Sequence, residues 1–79
     1  MQEIQASRIL DAKGLPCPLP ILKVKREITA IEVGEILAVW TTDPGSLNDF
    51  PAWARATGHE IVKADVGSAP YRFWLRRTH

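Results

Sequence analysis

A second cysteine is missing. Cys17 is the sole thiol in 79 residues, so no disulfide can form within the chain. A domain of this size buries only about 60% of the surface its unfolded chain exposes. Small secreted domains offset such a thin core with disulfides, and a lone thiol fits a reducing compartment better. Long hydrophobic runs are missing too, since none approaches the ~18 residues of a membrane span. The opening MQEIQASR lacks the basic and apolar regions of a signal peptide. Charge of one sign is scarce: the formal net charge is +1, which implies no strong field for nucleic acid or a membrane surface. Repeats, low-complexity tracts, a Gly-rich phosphate loop and a paired-carboxylate signature are all absent. Cys17, His59 and His79 make no zinc spacing. The expectation is one soluble, cytoplasmic domain over residues 1–79, with residues 1–6 as a loose end. It uses no metal and no cofactor, and it contacts neither nucleic acid directly nor a membrane.

What is present is punctuated by turns. Arg8-Ile9-Leu10-Asp11 reads as a short strand, followed by the turn signal Lys13-Gly14-Leu15-Pro16. From Pro18 the period changes: Ile21, Val24, Ile28 and Ile31 recur at helical spacing. Gly34 marks the exit, and 35–42 (EILAVWTT) is rich in strand formers. After the turn at Asp43-Pro44-Gly45, Asn48 or Asp49 is expected to cap a second helix carrying Phe50, Trp53, Ala54 and Ala56. Pro51 then falls in its first turn, and Gly58 ends it in a left-handed conformation. Residues 59–66 and 71–77 read as strands. In the last, Tyr71, Phe73 and Leu75 alternate with Arg72, Trp74 and Arg76. The order is βαβαββ. A two-layer α/β sandwich of the α+β class is the economical arrangement, a mixed four-stranded sheet with two helices on one face. Tyr71, Phe73 and Leu75 then point at the helices, and Trp74 sits on the open face.

The chemistry concentrates at Cys17-Pro18-Leu19-Pro20, between a turn and a helix. A residue before proline is pushed toward extended dihedrals, which suits a helix N-cap. Cys17 is therefore expected at the N-cap, with its sulfur near the positive end of the helix dipole and its thiol pKa lowered. With Pro18 and Pro20 at the first and third helical positions, Leu19 carries the one free amide there. Activation is then modest, which suits a group that must accept sulfur and release it. Lys13 adds to the activation if its chain reaches the sulfur, and Asp11 or Asp43 opposes it. The competing reading is a buried, inert cysteine. The position before a helix, between prolines, argues against it.

These residues resemble the TusA/SirA-like family. Asp11, Gly14, Leu15, Cys17, Pro18 and Pro20 reproduce its signature around a CPxP motif. The likeness continues in Gly34-Glu35, Thr42-Asp43-Pro44-Gly45, Asp49-Phe50-Pro51, Gly58-His59-Glu60 and Pro70-Tyr71-Arg72-Phe73. It covers nearly the whole chain. The chain departs from many members at Leu19, where a charged residue is common, and at Trp40 and Trp74. The resemblance implies the same βαβαββ sandwich and a carrier of sulfane sulfur, held as a persulfide on Cys17. It implies a cysteine desulfurase or rhodanese-like protein as sulfur donor and a DsrE-like or TusD-like protein as acceptor. The relay serves tRNA 2-thiouridine synthesis or cytoplasmic sulfur trafficking and oxidation. Such a carrier is not an enzyme by itself, because partners supply the catalysis.

Around Cys17, Pro18, Leu19 and Pro20 shape the site. Lys23, Lys25, Arg26 and Asp43 are candidates for partner docking. The alternative for the three cations is a solvated helix face, and for Asp43 a turn residue before Pro44. His59 is expected at a helix cap, His79 in a mobile end and Trp53 in the core. Two other functions compete with the carrier. One is a non-covalent regulatory or interaction module using the open face around Trp74. The other is a thiol redox sensor, which usually benefits from a resolving cysteine that this chain lacks.

Overall fold

The computed structural model describes residues 5–79. The loose end expected over residues 1–6 lies, for its first four residues, outside the described ones. Gln5 and Ala6 carry no regular structure. The described residues form β1 (Arg8–Ala12), α1 (Leu19–Glu27), a 3-10 turn (Ile28–Ala30), β2 (Ile36–Thr41), α2 (Ser46–Thr57), β3 (Glu60–Asp65) and β4 (Tyr71–Arg76). The βαβαββ order expected from the sequence is the order found.

The strands make one mixed sheet in the order β1-β2-β4-β3. β1 runs parallel to β2, with Leu10 opposite Val39. β4 runs antiparallel to both β2 and β3. β2 and β3, joined through α2, are therefore parallel with β4 inserted between them. β2 (ILAVWT), one of the two inner strands, is apolar along most of both faces. Leu37, Val39, Phe73 and Leu75 are fully or almost fully buried against Val24 and Ile28 of the first helical segment and Phe50 and Trp53 of α2. Phe50 meets Phe73 edge-on, with ring centroids 4.7 Å apart, an arrangement that adds about 0.5–1.5 kcal/mol beyond its area burial. Both helices thus cover one face. The alternate residues Ile9, Ala38, Trp74 and Lys63 line up across the other, followed by Asp11, Trp40, Arg72 and Asp65.

Three details of the helices differ from expectation. First, α1 starts at Leu19 with Pro18 at the N-cap, so Cys17 lies one residue before the N-cap. Pro20 is the second helical residue, a position where a missing N–H costs no intrahelical bond. Second, α1 stops at Glu27 and tightens into the 3-10 turn, although Ile28 and Ile31 remain buried as their spacing demands. Third, α2 begins at Ser46, and neither Asn48 nor Asp49 caps it. The carbonyl of Asp43 accepts from the Ser46 amide, that of Pro44 from Leu47, and that of Gly45 from Asn48 and Asp49. The turn itself satisfies the first amides, so no side-chain cap is required. Pro51 consequently falls inside the helix. A proline there costs roughly 3 kcal/mol, which the burial of Phe50 and Trp53 on either side offsets. Gly58 closes α2 as expected, at φ 85° in the left-handed region.

The end of the described chain is fastened. Arg77 donates to the Ile31 carbonyl at 2.6 Å, and the Thr78 amide donates to His59 Nδ1 at 3.1 Å. His79 stacks on His59 with centroids 4.4 Å apart, and His59 stacks on Trp53 at 5.3 Å. The mobile end expected at His79 is therefore corrected, and His59 sits just past the helix as an acceptor within a ring stack.

Candidate functional site: a thiol hydrogen-bonded to a carboxylate

Cys17 is exposed at the mouth of a groove of about 420 Å³ between the two helices. Pro18, Ile21 and Lys25 form one wall, and Asp49, Ala52, Trp53, Ala56 and Thr57 the other. The spacing explains both walls: residues 18, 21 and 25 follow one stripe of α1, and 49, 52, 53 and 56 one stripe of α2. The lining is mainly apolar, with one cation and one carboxylate.

The expected activation of the thiol is not found. The Leu19 amide donates to the Pro16 carbonyl at 2.9 Å, and the Leu22 amide to Pro18. Pro18 and Pro20 have no amide hydrogen to offer. No amide donation to the sulfur is found among the described residues. Instead the thiol donates to Asp49 Oδ2 at 3.4 Å. That hydrogen bond, then partial desolvation, then the negative charges of Asp49 and Asp43 push the Cys17 pKa up from its ordinary value. The N-cap expectation failed because the helix starts one residue later, and the pKa expectation failed because the nearest charged groups are acids.

Gly45 allows this crowding. A Cβ at position 45 would stand 2.9 Å from Asp43 Oδ2 and 3.6 Å from Cys17 Cβ. Asp43 Oδ2 is itself buried, with no hydrogen-bond partner among the described residues. Its loop is anchored by Thr41, whose buried hydroxyl bonds Ser46 Oγ at 3.1 Å and accepts from the Asp43 amide. The turn that follows β2 is thereby brought against the turn that precedes α1. Sequence reasoning weighed Asp43 for the site but gave Asp49 no role there beyond a helix cap and a place in the family likeness, and it placed Trp53 only in the core. Trp53 is 7% exposed, and it also floors the groove. The signal for both was the helical spacing of 49, 53 and 56.

The remaining expected site residues are spread. Pro20 is buried beneath the motif, and Leu19 is 42% exposed. Lys25 borders the groove. Lys23 and Arg26 are exposed on the same helix and lie outside the groove lining. Among the described residues, no three His, Cys, Asp or Glu side chains cluster to hold a metal ion. No described helix is long and apolar enough to cross a membrane.

The model of the family described as sulfurtransferase TusA matches residues 8–77, which include the motif, the groove and all four strands. The chain belongs to the TusA family. Among relatives of the chain, the sulfur carrier protein TusA of Allochromatium vinosum is 42% identical over 69 residues, covering 87% of this chain and 91% of that protein. Two proteins of Bacillus subtilis named putative sulfur carriers also match. YrkI is 36% identical over 74 residues, covering 94% of this chain and 99% of its own length. YrkF is 42% identical over 74 residues, and there the chain spans only 40% of the relative's length. The crystal structure of a SirA-like protein from Desulfitobacterium hafniense superposes with a TM-score of 0.70 at 18% identity. It covers 87% of this chain and 93% of that one. That likeness bears on the fold, and it matches the sandwich described above.

Proposed function

We propose that the chain is a sulfur carrier that holds sulfane sulfur as a persulfide on Cys17. The observation that carries this reading is the only thiol of the chain standing exposed at the mouth of an apolar groove. The relatives' names support it. Loading adds one sulfur about 2.05 Å beyond Sγ. Trp53 lines the same groove, and sulfur makes favourable contacts with aromatic rings.

In this reading Pro18, Leu19 and Pro20 shape the loop that presents Cys17. Lys23, Lys25 and Arg26 meet an acidic partner surface, and Asp43 lies at the edge of that contact. The chain acts as a single domain in the cytoplasm and as a carrier, with catalysis supplied by partners. The donor is a cysteine desulfurase or a rhodanese-like protein, and the acceptor a DsrE-like or TusD-like protein. The relay ends in tRNA thiolation or in sulfur trafficking.

Intact mass spectrometry after incubation with a cysteine desulfurase and cysteine tests this. A gain of one sulfur that reductant reverses is expected, with no gain in Cys17→Ser. A wild-type chain that gains nothing, or a Cys17→Ser chain that still gains sulfur, overturns it.

A further inference from the structure

Sulfur exchange requires a thiolate, because the thiolate and not the thiol is the nucleophile. In this fold the surroundings of Cys17 work against that form. The Leu19 amide, the nearest donor at the helix start, is spent on Pro16. Asp49 Oδ2 accepts the thiol hydrogen at 3.4 Å. Asp43 presents a second carboxylate, whose buried oxygen lacks a hydrogen-bond partner among the described residues. The one cation of the groove is Lys25, six residues beyond Leu19 and so about 9 Å along the helix axis. The charged groups that face the thiol are therefore Asp49 from α2 and Asp43 from the preceding loop, with Lys25 of α1 at the far end of the groove.

Taking Cys17 as the sulfur-bearing residue proposed above, we propose that Asp49 holds the unloaded carrier in its thiol form. Asp49 is a positioning residue that keeps Cys17 unreactive until a partner displaces or neutralises the carboxylate. Asp49 does not serve as a base at rest. A free thiol near 8.5 and a free carboxylate near 3.9 make that proton transfer unfavourable by a factor on the order of 10⁴. What the carboxylate does well is accept the S–H hydrogen and repel negative charge on sulfur. The same contact protects the thiol from oxidants, whose attack also follows thiolate character. This matters in a chain with no second cysteine to resolve a sulfenic acid.

When sulfur is loaded, the atoms balance without any outside oxidant. The Cys17 sulfur attacks the outer sulfur of a donor persulfide, and a new S–S bond forms. The bond between that outer sulfur and the donor's own sulfur breaks, and the donor sulfur leaves with the electron pair. The proton lost from Cys17 ends on the departing donor thiolate. The transferred sulfur keeps its oxidation level.

Alkylation of Cys17 by iodoacetamide, followed on the full chain by intact mass between about pH 6 and pH 10, reads thiolate availability. The wild-type profile is expected to rise at higher pH than that of free cysteine. Asp49→Asn should move it to lower pH, with a several-fold faster rate near neutrality. Asp43→Asn should move it in the same direction by less, because Asp43 acts through charge alone. Asp49→Glu, which keeps the carboxylate, should stay nearest to wild type. An Asp49→Asn profile that coincides with wild type or shifts upward overturns the proposal. If Asp49→Asn does not fold, as judged by circular dichroism, Asp49→Ser decides: no downward shift there is the overturning result. Sulfur gain from a desulfurase is measured separately on the same samples. A wild type that never loads defeats the carrier reading, while its alkylation profiles still report on Asp49.

Discussion

The open sheet face and the surroundings of Cys17 treat charge differently. On the open sheet face, acids are matched by bases. Asp65 pairs with Arg72, Glu60 with Arg76 at 2.9 Å, and Asp11 with Lys13 at 4.0 Å. Lys13 also lies over Trp40, and Lys63 and Arg72 lie over Trp74. On the helical side at Cys17, one carboxylate holds a thiol and another has a buried oxygen with no partner among the described residues. Matched charges on the sheet make a solvated covering for tryptophans. Beside the thiol the nearest charged groups are acids, which push its pKa up. The contrast teaches that the thiol sits where electrostatic complementarity is incomplete.

The largest expected effect tests what the groove floor shares with the core. Phe50→Ala should cost about 3–5 kcal/mol, because Phe50 is fully buried against Phe73. Denaturant unfolding measures this, and a loss under 1 kcal/mol would mean that the two faces are not held together by this contact. Next, Gly45→Ala should displace the Asp43 carboxylate, since its new methyl would meet Oδ2 at 2.9 Å. The alkylation profile of Cys17 should then change with little change in unfolding midpoint. An unchanged profile would remove Asp43 from the account of the thiol.

Charge reversal of Lys23, Lys25 and Arg26 together should slow sulfur transfer at low salt and weaken its salt dependence, because steering charges act on encounter rate. Equal rates at low salt would leave these residues as a solvated face. On the sheet, Lys63→Ala should cost only about 0.5–1 kcal/mol, the range for an exposed cation over an aromatic ring. Sulfur loading of that variant should match wild type. A loading defect there would break the division between the two faces.

The smallest effect concerns the ring stack below the groove. Burial, then His79, then Arg77 lower the His59 pKa. A base lowered in the folded state contributes stability that is present above its unfolded value, near 6.5. That contribution is lost as pH falls through the folded value. Melting temperature should therefore dip slightly on acidification below about pH 6.5, and less so in His59→Gln. An identical dip in the variant would exclude His59 as its source.

Much of the fold was legible because it rests on local patterns. The alternation in 71–77 assigned Phe73 and Leu75 to the core and Trp74 to the open face, and the register bears this out. Ile21, Val24, Ile28 and Ile31 gave the buried stripe of the first helix, although the helix tightened before the stripe ended. Helix starts were read less well. They depend on which carbonyls accept the first amides, and around Gly45 those acceptors belong to the turn. Cys17 was singled out through its motif. Its environment was misjudged, because Asp49 lies 32 residues further along the chain.

By itself the sequence determined the element order, the faces of each strand and the single thiol, since each follows from residue type and short spacing. Only the tertiary structure decided what that thiol touches. β2 carries the Asp43 turn up to the motif, and α2 then brings Asp49 and Trp53 alongside α1. The protonation of Cys17 depends on charges a few ångströms away in space. Sequence separation does not encode those distances until the sheet and helices have packed.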